Sequence, residues 1–339
     1  MIELRDDALL FSFPEVHPEA SCLVDFQRTL RIPDDSRRYP LPAGLGRFPM
    51  HHVDDYPDQL PATWRRHGGV FLPMYQSEAL WVNFHANFYH SYPCAIKVAA
   101  GKINAVSGAP WQNPLAADPQ DYVVAPGQRW LDGFAVAAGL IRQFVAMPLG
   151  EGYTAEEQLT GAADHGGLQI MVYPMKRERY AAIEAARAKE RERWQHLDDS
   201  DVRFSLSPAP PELGLAPGGL MTQHIKVDNY GIDAWEQTAA ARCFVHLTNS
   251  LTYHAITGHQ PPQKPLTAKA YTRAGLPWFK DYDADKQALP GSRILASLDS
   301  LATKFFKQTQ AVLSGNEPPN PSTSSVWSIR PKYGRAISD

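Results

Sequence analysis

Three groups of side chains in this sequence have a composition suited to chemistry. The first is Cys243 with His246 or His254. A thiol close to an imidazole is the pairing that turns cysteine into a nucleophile, the base taking its proton. This pair defines a hydrolase or lyase reading, with the rest of the site assembled from distant residues. The second group is histidine-rich: His51 and His52 beside Asp54 and Asp55, then His85 and His90 in the aromatic segment HANFYHSY. Imidazole and carboxylate both ligate metals. Neighbours on a strand point to opposite faces, however, so solvated loop residues are the expectation for the first four. The third group is Trp130, Asp132, Arg142 and Gln143, an acid, a guanidinium, an amide and an indole that could greet a ligand.

The elements that position this third group are read from Gln120 to Met175. Trp130 to Val136 and Leu140 to Met147 read as two strands joined by Ala137-Ala138-Gly139, the glycine free to take positive φ. With Val136 opposite Leu140, alternation places Asp132, Phe134, Leu140, Arg142 and Phe144 on one face, and Ile141, Gln143, Val145 and Met147 on the other. Both faces are mostly apolar and therefore covered, so Arg142 and Gln143 need partners. Asp132, one diagonal step away, is the expected partner of Arg142. A buried packing pair is the simpler reading of the two.

Around this ribbon the chain alternates strands with loops. Ala8–Phe13, Ser21–Ile32, Val70–Met74, Glu78–Phe84 and Leu168–Tyr173 read as strands, with Trp81 and Phe84 as heavy core candidates. Cys94–Val98 and Lys102–Val106 form a second glycine-closed hairpin. Thr154 with Glu157 makes a capping box that starts a short helix, and Asp233 with Glu236 makes another. Lys176–Leu197 reads as a charged helix and Arg293–Leu313 as an amphipathic one stopped at Gly315. Leu220–Val227 reads as a strand; Cys243–Leu247 is either a short strand or the end of the preceding helix. The expected fold is a β-rich α+β protein, an antiparallel β-sandwich or barrel-like core with a few peripheral helices and the C-terminal amphipathic helix. It divides into a core domain (1–175), a charged helix and connection (176–204), a smaller α+β subdomain (205–316) and a Pro/Ser-rich tail (317–339).

Composition narrows the function classes. The 339 residues, 44% hydrophobic and 20% charged, are those of a globular chain. A net charge of -3 leaves no footprint for nucleic acid or an anionic membrane. Twenty-nine prolines beside 23 glycines fit strands with long connections. The three cysteines are far apart, so no disulfide framework or zinc knuckle is expected. The acidic start Met1-Ile2-Glu3-Leu4-Arg5-Asp6-Asp7 is unlike a signal peptide, and no apolar run reaches membrane-spanning length. The expectation is a cytoplasmic protein. Gly150-Glu151-Gly152 precedes a helix but lacks a phosphate loop's Lys-Ser/Thr, and Asp281, Asp283 and Asp285 have calcium-loop spacing with Lys286 and Ser292 where glycine and glutamate belong. No cofactor is implied.

Trp130-Leu131-Asp132-Gly133, Ile141-Arg142-Gln143-Phe144-Val145-Ala146 and Pro148-Leu149-Gly150-Glu151-Gly152 resemble the W-L-D-G, I/V-R-Q-F-V-A and P-L/M-G-x-G pattern of a family of uncharacterised bacterial, fungal and protist proteins. The likeness continues through Thr160-Gly161, Gly166-Gly167-Leu168-Gln169, the 214–219 run and Leu276-Pro277-Trp278-Phe279. It implies one fold over both halves and carries no chemistry. The leading functional expectation is non-catalytic: a β-rich protein that binds a ligand or partner, or assembles with itself through the aromatic loop or the C-terminal tail.

Overall fold

The computed structural model describes residues 1–85, 91–191, 213–281, 288–319 and 326–329. His90, most of the aromatic loop, the end of the charged helix, the centre of the aspartate-rich segment and most of the tail lie outside the described residues. The longer strands are β1 (Ile2–Arg5), β2 (Ala8–Ser12), β3 (Ser21–Thr29), β4 (Val70–Met74), β5 (Ala79–Asn83), β6 (Cys94–Ala100), β7 (Gly133–Ala137), β8 (Leu140–Pro148), β9 (Leu168–Pro174), β10 (Leu213–Thr222) and β11 (Ala241–Asn249). They join one large, mostly antiparallel sheet, running β1-β2-β3-β5-β8-β10-β11-β9-β6, with β7 beside β8 and β4 parallel to β11. The fold is the β-rich α+β class expected. No ladder closes the sheet into a barrel among the described residues.

Both ends of this path feed one hydrophobic cluster. Phe11, Val24 and Phe26 from β2 and β3 belong to the same buried set as Ile96, Val98, Ile170 and Val172 from β6 and β9. Each such side chain contributes about 1.5–3 kcal/mol of burial. A small three-stranded sheet joins Leu41–Pro42, Trp278–Asp281 and Val326–Ile329.

The β7–β8 hairpin keeps the expected register where Gly133, Phe134 and Ala135 face Gln143, Arg142 and Ile141. Val136 then bulges, so Ala137 faces Leu140 and the loop shortens to Ala138-Gly139, with Gly139 at φ +66. The other hairpin closes at Ala100 opposite Ile103, around Gly101 at φ +57.

Three expected elements differ. β10 spans Leu213–Thr222 where a strand over Leu220–Val227 is expected, and it lies between β8 and β11. Its glycines permit close packing: a Cβ on Gly214 would come within 2.6 Å of Thr154 Cγ2, and one on Gly218 within 2.5 Å of Val145 Cγ2. The expected helix after Asp233 is two 3₁₀ turns, Ile232–Ala234 and Gln237–Ala239, because Glu236 spends its side chain on the Thr238 amide. The amphipathic helix is broken into α6 (Arg293–Ala296) and α7 (Leu301–Thr309), because Ser300 caps a new helix start through the Thr303 amide. Leu298 and Leu301 stay buried at the break, whereas Ile294 and Val312 are exposed.

The other helices are α1 (Ala62–His67), α2 (Ala155–Thr160), α3 (Arg177–Arg191), α4 (Ser250–Thr257) and α5 (Ala268–Arg273). The Thr154–Glu157 capping box forms with both reciprocal bonds. No described helix is long and apolar enough to cross a membrane.

Candidate functional site

The candidate site is the outer face of β3 and β5. In β3, Val24 and Phe26 turn inward, leaving Asp25 and Gln27 on the other side. Ladder partners share a face, and Asp25 lies opposite Asn83, Gln27 opposite both Trp81 and Arg47, and Trp130 opposite Asn83. Six side chains from four segments are therefore brought to one patch, and His85 joins them just past the end of β5.

Asp25 organises the patch. Its side chain is fully buried. Oδ1 accepts from Gln27 Nε2 at 2.8 Å, and Oδ2 accepts from Arg47 Nε at 2.7 Å and Asn83 Nδ2 at 3.4 Å. Oδ2 is also hydrogen-bonded to the His85 ring at Nε2. One carboxylate thus fixes four polar side chains that remain partly open to water, and charge-assisted bonds of this kind are the strong ones. His85 takes φ +39 to reach it, a conformation unusual for a non-glycine residue. Beside this network Trp81 and Trp130 pack edge to face, 6.3 Å between ring centroids, both half-buried. Trp81 Nε1 is enclosed and has no acceptor. Gly44 lies against the Trp81 ring, where a Cβ would come within 3.2 Å of Cζ2.

Of the residues singled out in the sequence, this patch collects Trp130 and His85. Trp81, read as a core candidate, is on the outer face, while Phe84 is buried. Asp25, Gln27, Arg47 and Asn83 escaped sequence reading. The signal for Asp25 and Gln27 was the polar half of the β3 alternation, which looks like an ordinary solvated face, and Arg47 and Asn83 left none.

Asp132 and Arg142 do not form the expected pair. The chain changes ladder partner at residue 132, since Trp130–Leu131 pairs with β5 and β7 pairs with β8. Asp132 therefore meets Gln223, just past the end of β10: its carboxylate accepts from Gln223 Nε2 at 2.6 Å and its amide donates to Gln223 Oε1 at 3.0 Å. Arg142 reaches Asp34 at 3.4 Å and the Gly218 carbonyl at 3.2 Å. Gln143 is completely buried and serves backbone groups of the chain just past β3.

Cys243 and His246 lie three residues apart on β11, and so on opposite faces. Burial pushes the Cys243 thiol up to about 12, opposite to what a nucleophile needs. His246 stacks on Trp64 at 4.6 Å, with Nε2 3.0 Å from the Gly68 carbonyl. Burial lowers its pKa to about 4. His254 is exposed on α4, its Nδ1 2.9 Å from the His259 carbonyl. His51 Nε2 is 2.8 Å from the Tyr253 hydroxyl, and His52, adjacent on the same short strand, points to the other side. Among the described residues no group of three metal-ligating side chains converges.

The apparent phosphate turn is filled from within. Glu157 Oε1 accepts from the Gly150 and Gly152 amides, each at 2.8 Å, and Oε2 accepts from Thr154 Oγ1 at 2.7 Å. A side-chain carboxylate stands where a bound anion would.

In comparisons with known proteins, no family model, curated protein or solved structure matches this chain.

Proposed function

We propose that this chain is a β-rich binding protein and that the Asp25-centred patch takes a hydroxylated ring, such as a pyranose. The single observation that carries the reading is one buried carboxylate holding Gln27, Arg47, Asn83 and His85 beside two half-buried indoles. Indole faces and edges pack against the C–H side of a sugar ring. A planar amide can donate to one hydroxyl and accept from its neighbour, and a guanidinium can donate to both. Because Asp25 pre-orders these groups, little side-chain entropy is lost on binding. The separation of Cys243 from His246 across the strand supports binding over covalent chemistry at that place.

The test is a panel of monosaccharides and immobilised glycans, read by indole fluorescence and calorimetry. Binding should quench or shift the indole emission. Trp81→Ala, Trp130→Ala and Asp25→Asn should each weaken it about tenfold or more, about 1.4 kcal/mol. A panel with no binder, or a binder indifferent to all three substitutions, overturns the reading.

A further inference from the structure

Glu156, in the first turn of α2, lies beneath the tip of the hairpin that follows β6. It is 2% exposed, and both carboxyl oxygens are enclosed with no hydrogen-bond partner. Nδ1 of His165 stands 3.8 Å from Oε1, outside hydrogen-bond range, and is itself enclosed and unpartnered. The walls are Ala100, Gly101, Leu149, Gly166 and Leu215, and the gap between them has no room for a water molecule. Gly101 is required here, because a Cβ at that position would overlap Glu156 Oε2. A carboxylate so placed would be charged, dry and without a side-chain donor, with only a weak pull from the His165 backbone amide, a costly arrangement.

The charged and titratable groups around it come from each neighbouring element. The hairpin contributes Lys102, which is held 3.2 Å from Asp164. The segment before β9 contributes Asp164 and His165. His67 of α1 packs tilted behind His165 at 5.1 Å, and His246 of β11 lies 6.4 Å beyond His67. Glu157, on the same helix, is turned away into the Gly150–Gly152 turn. Burial raises the Glu156 pKa to about 7 against the opposing pull of Lys102, and burial lowers those of His165 and His67. The carboxyl is therefore protonated below neutral pH and about half protonated at it, facing imidazoles that burial disfavours from charging.

We propose that Glu156 is a proton-operated latch on α2: neutral, it seats the helix against Gly101 and His165; ionised, it releases its proton to water, swings toward Lys102 and loosens the helix. The movement has a route onward. Gln158 of α2 donates to the Asp299 carbonyl at 3.1 Å and accepts from the Asp299 amide at 2.9 Å, tying the helix to the link between α6 and α7. The latch is separate from the ring-binding patch, and either proposal can fail alone.

Hydrogen exchange of residues 150–166, corrected for intrinsic rates and followed from acid to alkaline pH, tests it. Protection in the wild-type chain should fall by up to about tenfold for each pH unit from about 4.5 to the midpoint near about 7 and level off above it, while Glu156→Gln, neutral at every pH, should show a flat profile. Lys102→Ala, an exposed substitution, should move the midpoint upward by removing the cation that favours the carboxylate. Infrared spectra at neutral pH should show a protonated-carboxyl band that Glu156→Gln removes. Identical exchange profiles in wild type and Glu156→Gln overturn the proposal, as does a midpoint indifferent to Lys102 or the absence of that band.

Discussion

The side-chain amide of Gln143 stands in for a missing strand beside Ile32. Its Oε1 accepts from the Ile32 amide at 2.8 Å, and its Nε2 donates to the Leu30 carbonyl at 2.9 Å. The chain just past β3 thereby satisfies two buried backbone groups without a ladder. Gln143→Leu keeps the volume and removes both bonds. Each orphaned buried group costs about 1–3 kcal/mol, so urea unfolding should show a loss of about 2–6 kcal/mol with an unchanged slope.

The sequence made Gln143's need for partners legible, because a strand apolar on both faces is covered on both. It could not name Leu30 and Ile32, since contacts across 111 and 113 positions leave no local mark. The hairpin register was readable from Gly139 and the alternation of β8, down to Phe134 opposite Arg142. β10 was hidden because Gly214, Pro217, Gly218 and Gly219 carry the composition of a linker, yet Gly214 lies against Thr154 and Gly218 against Val145, where a Cβ would not fit. The Asp132–Arg142 pairing failed at a change of ladder partner, which a two-strand picture does not contain. Asp25 was invisible as a hub, because its partners come from β3, β5, the segment around Arg47 and His85 just past β5.

Glu157 should be worth more than a surface acid in a short helix. It occupies the amides of Gly150, Gly152 and Thr154 together with the Thr154 hydroxyl. Glu157→Ala leaves that turn without its acceptor and should lower stability by about 2–3 kcal/mol, read as a fall in thermal midpoint. Glu157→Gln keeps one acceptor oxygen and should lose less. Equal midpoints for Glu157→Ala and wild type would count against this account of the turn.

Cys243 should be inert in the folded protein. Its sulfur is buried and its pKa is raised to about 12 by desolvation, so almost no thiolate exists at neutral pH. Iodoacetamide followed by mass spectrometry should leave it unmodified until urea unfolds the chain. Rapid alkylation under native conditions would return the thiol to consideration as a nucleophile.

Glu156 and His246 should shape the pH dependence of stability from opposite sides. The Glu156 pKa is raised to about 7, so the native state holds a proton that the unfolded chain releases, and stability is lost as pH rises from about 4.5 toward 7. The His246 pKa is depressed to about 4, so the unfolded chain binds a proton that the native state refuses, and stability is lost as pH falls from about 6.5 toward 4. Glu156→Gln should flatten the first slope and His246→Phe, which retains a ring against Trp64, the second. Urea titrations at a series of pH values read both; slopes unchanged by either substitution would show that other groups set the profile.

Lys97 is a staple rather than a solvated charge. Only 1% of its side chain is exposed, and Nζ donates to the Gln112 and Pro114 carbonyls, each at 2.7 Å, and meets Asp121 at 2.6 Å. Its three donors thus pin the segment between Asn104 and Asp121 onto β6, with the Trp111 ring 5.5 Å from the ammonium. Lys97→Met fills the same channel but leaves Asp121 without its cation, and breaking a buried pair from one side costs about 3–5 kcal/mol. Asp121 also accepts from the Ala116 amide at 2.9 Å, a bond that the amide oxygen introduced by Asp121→Asn would retain. The double variant Lys97→Met with Asp121→Asn should therefore recover part of the loss. Additive single effects in the double-mutant cycle would mean that the ammonium and carboxylate contribute separately and that the two carbonyl contacts alone hold the loop.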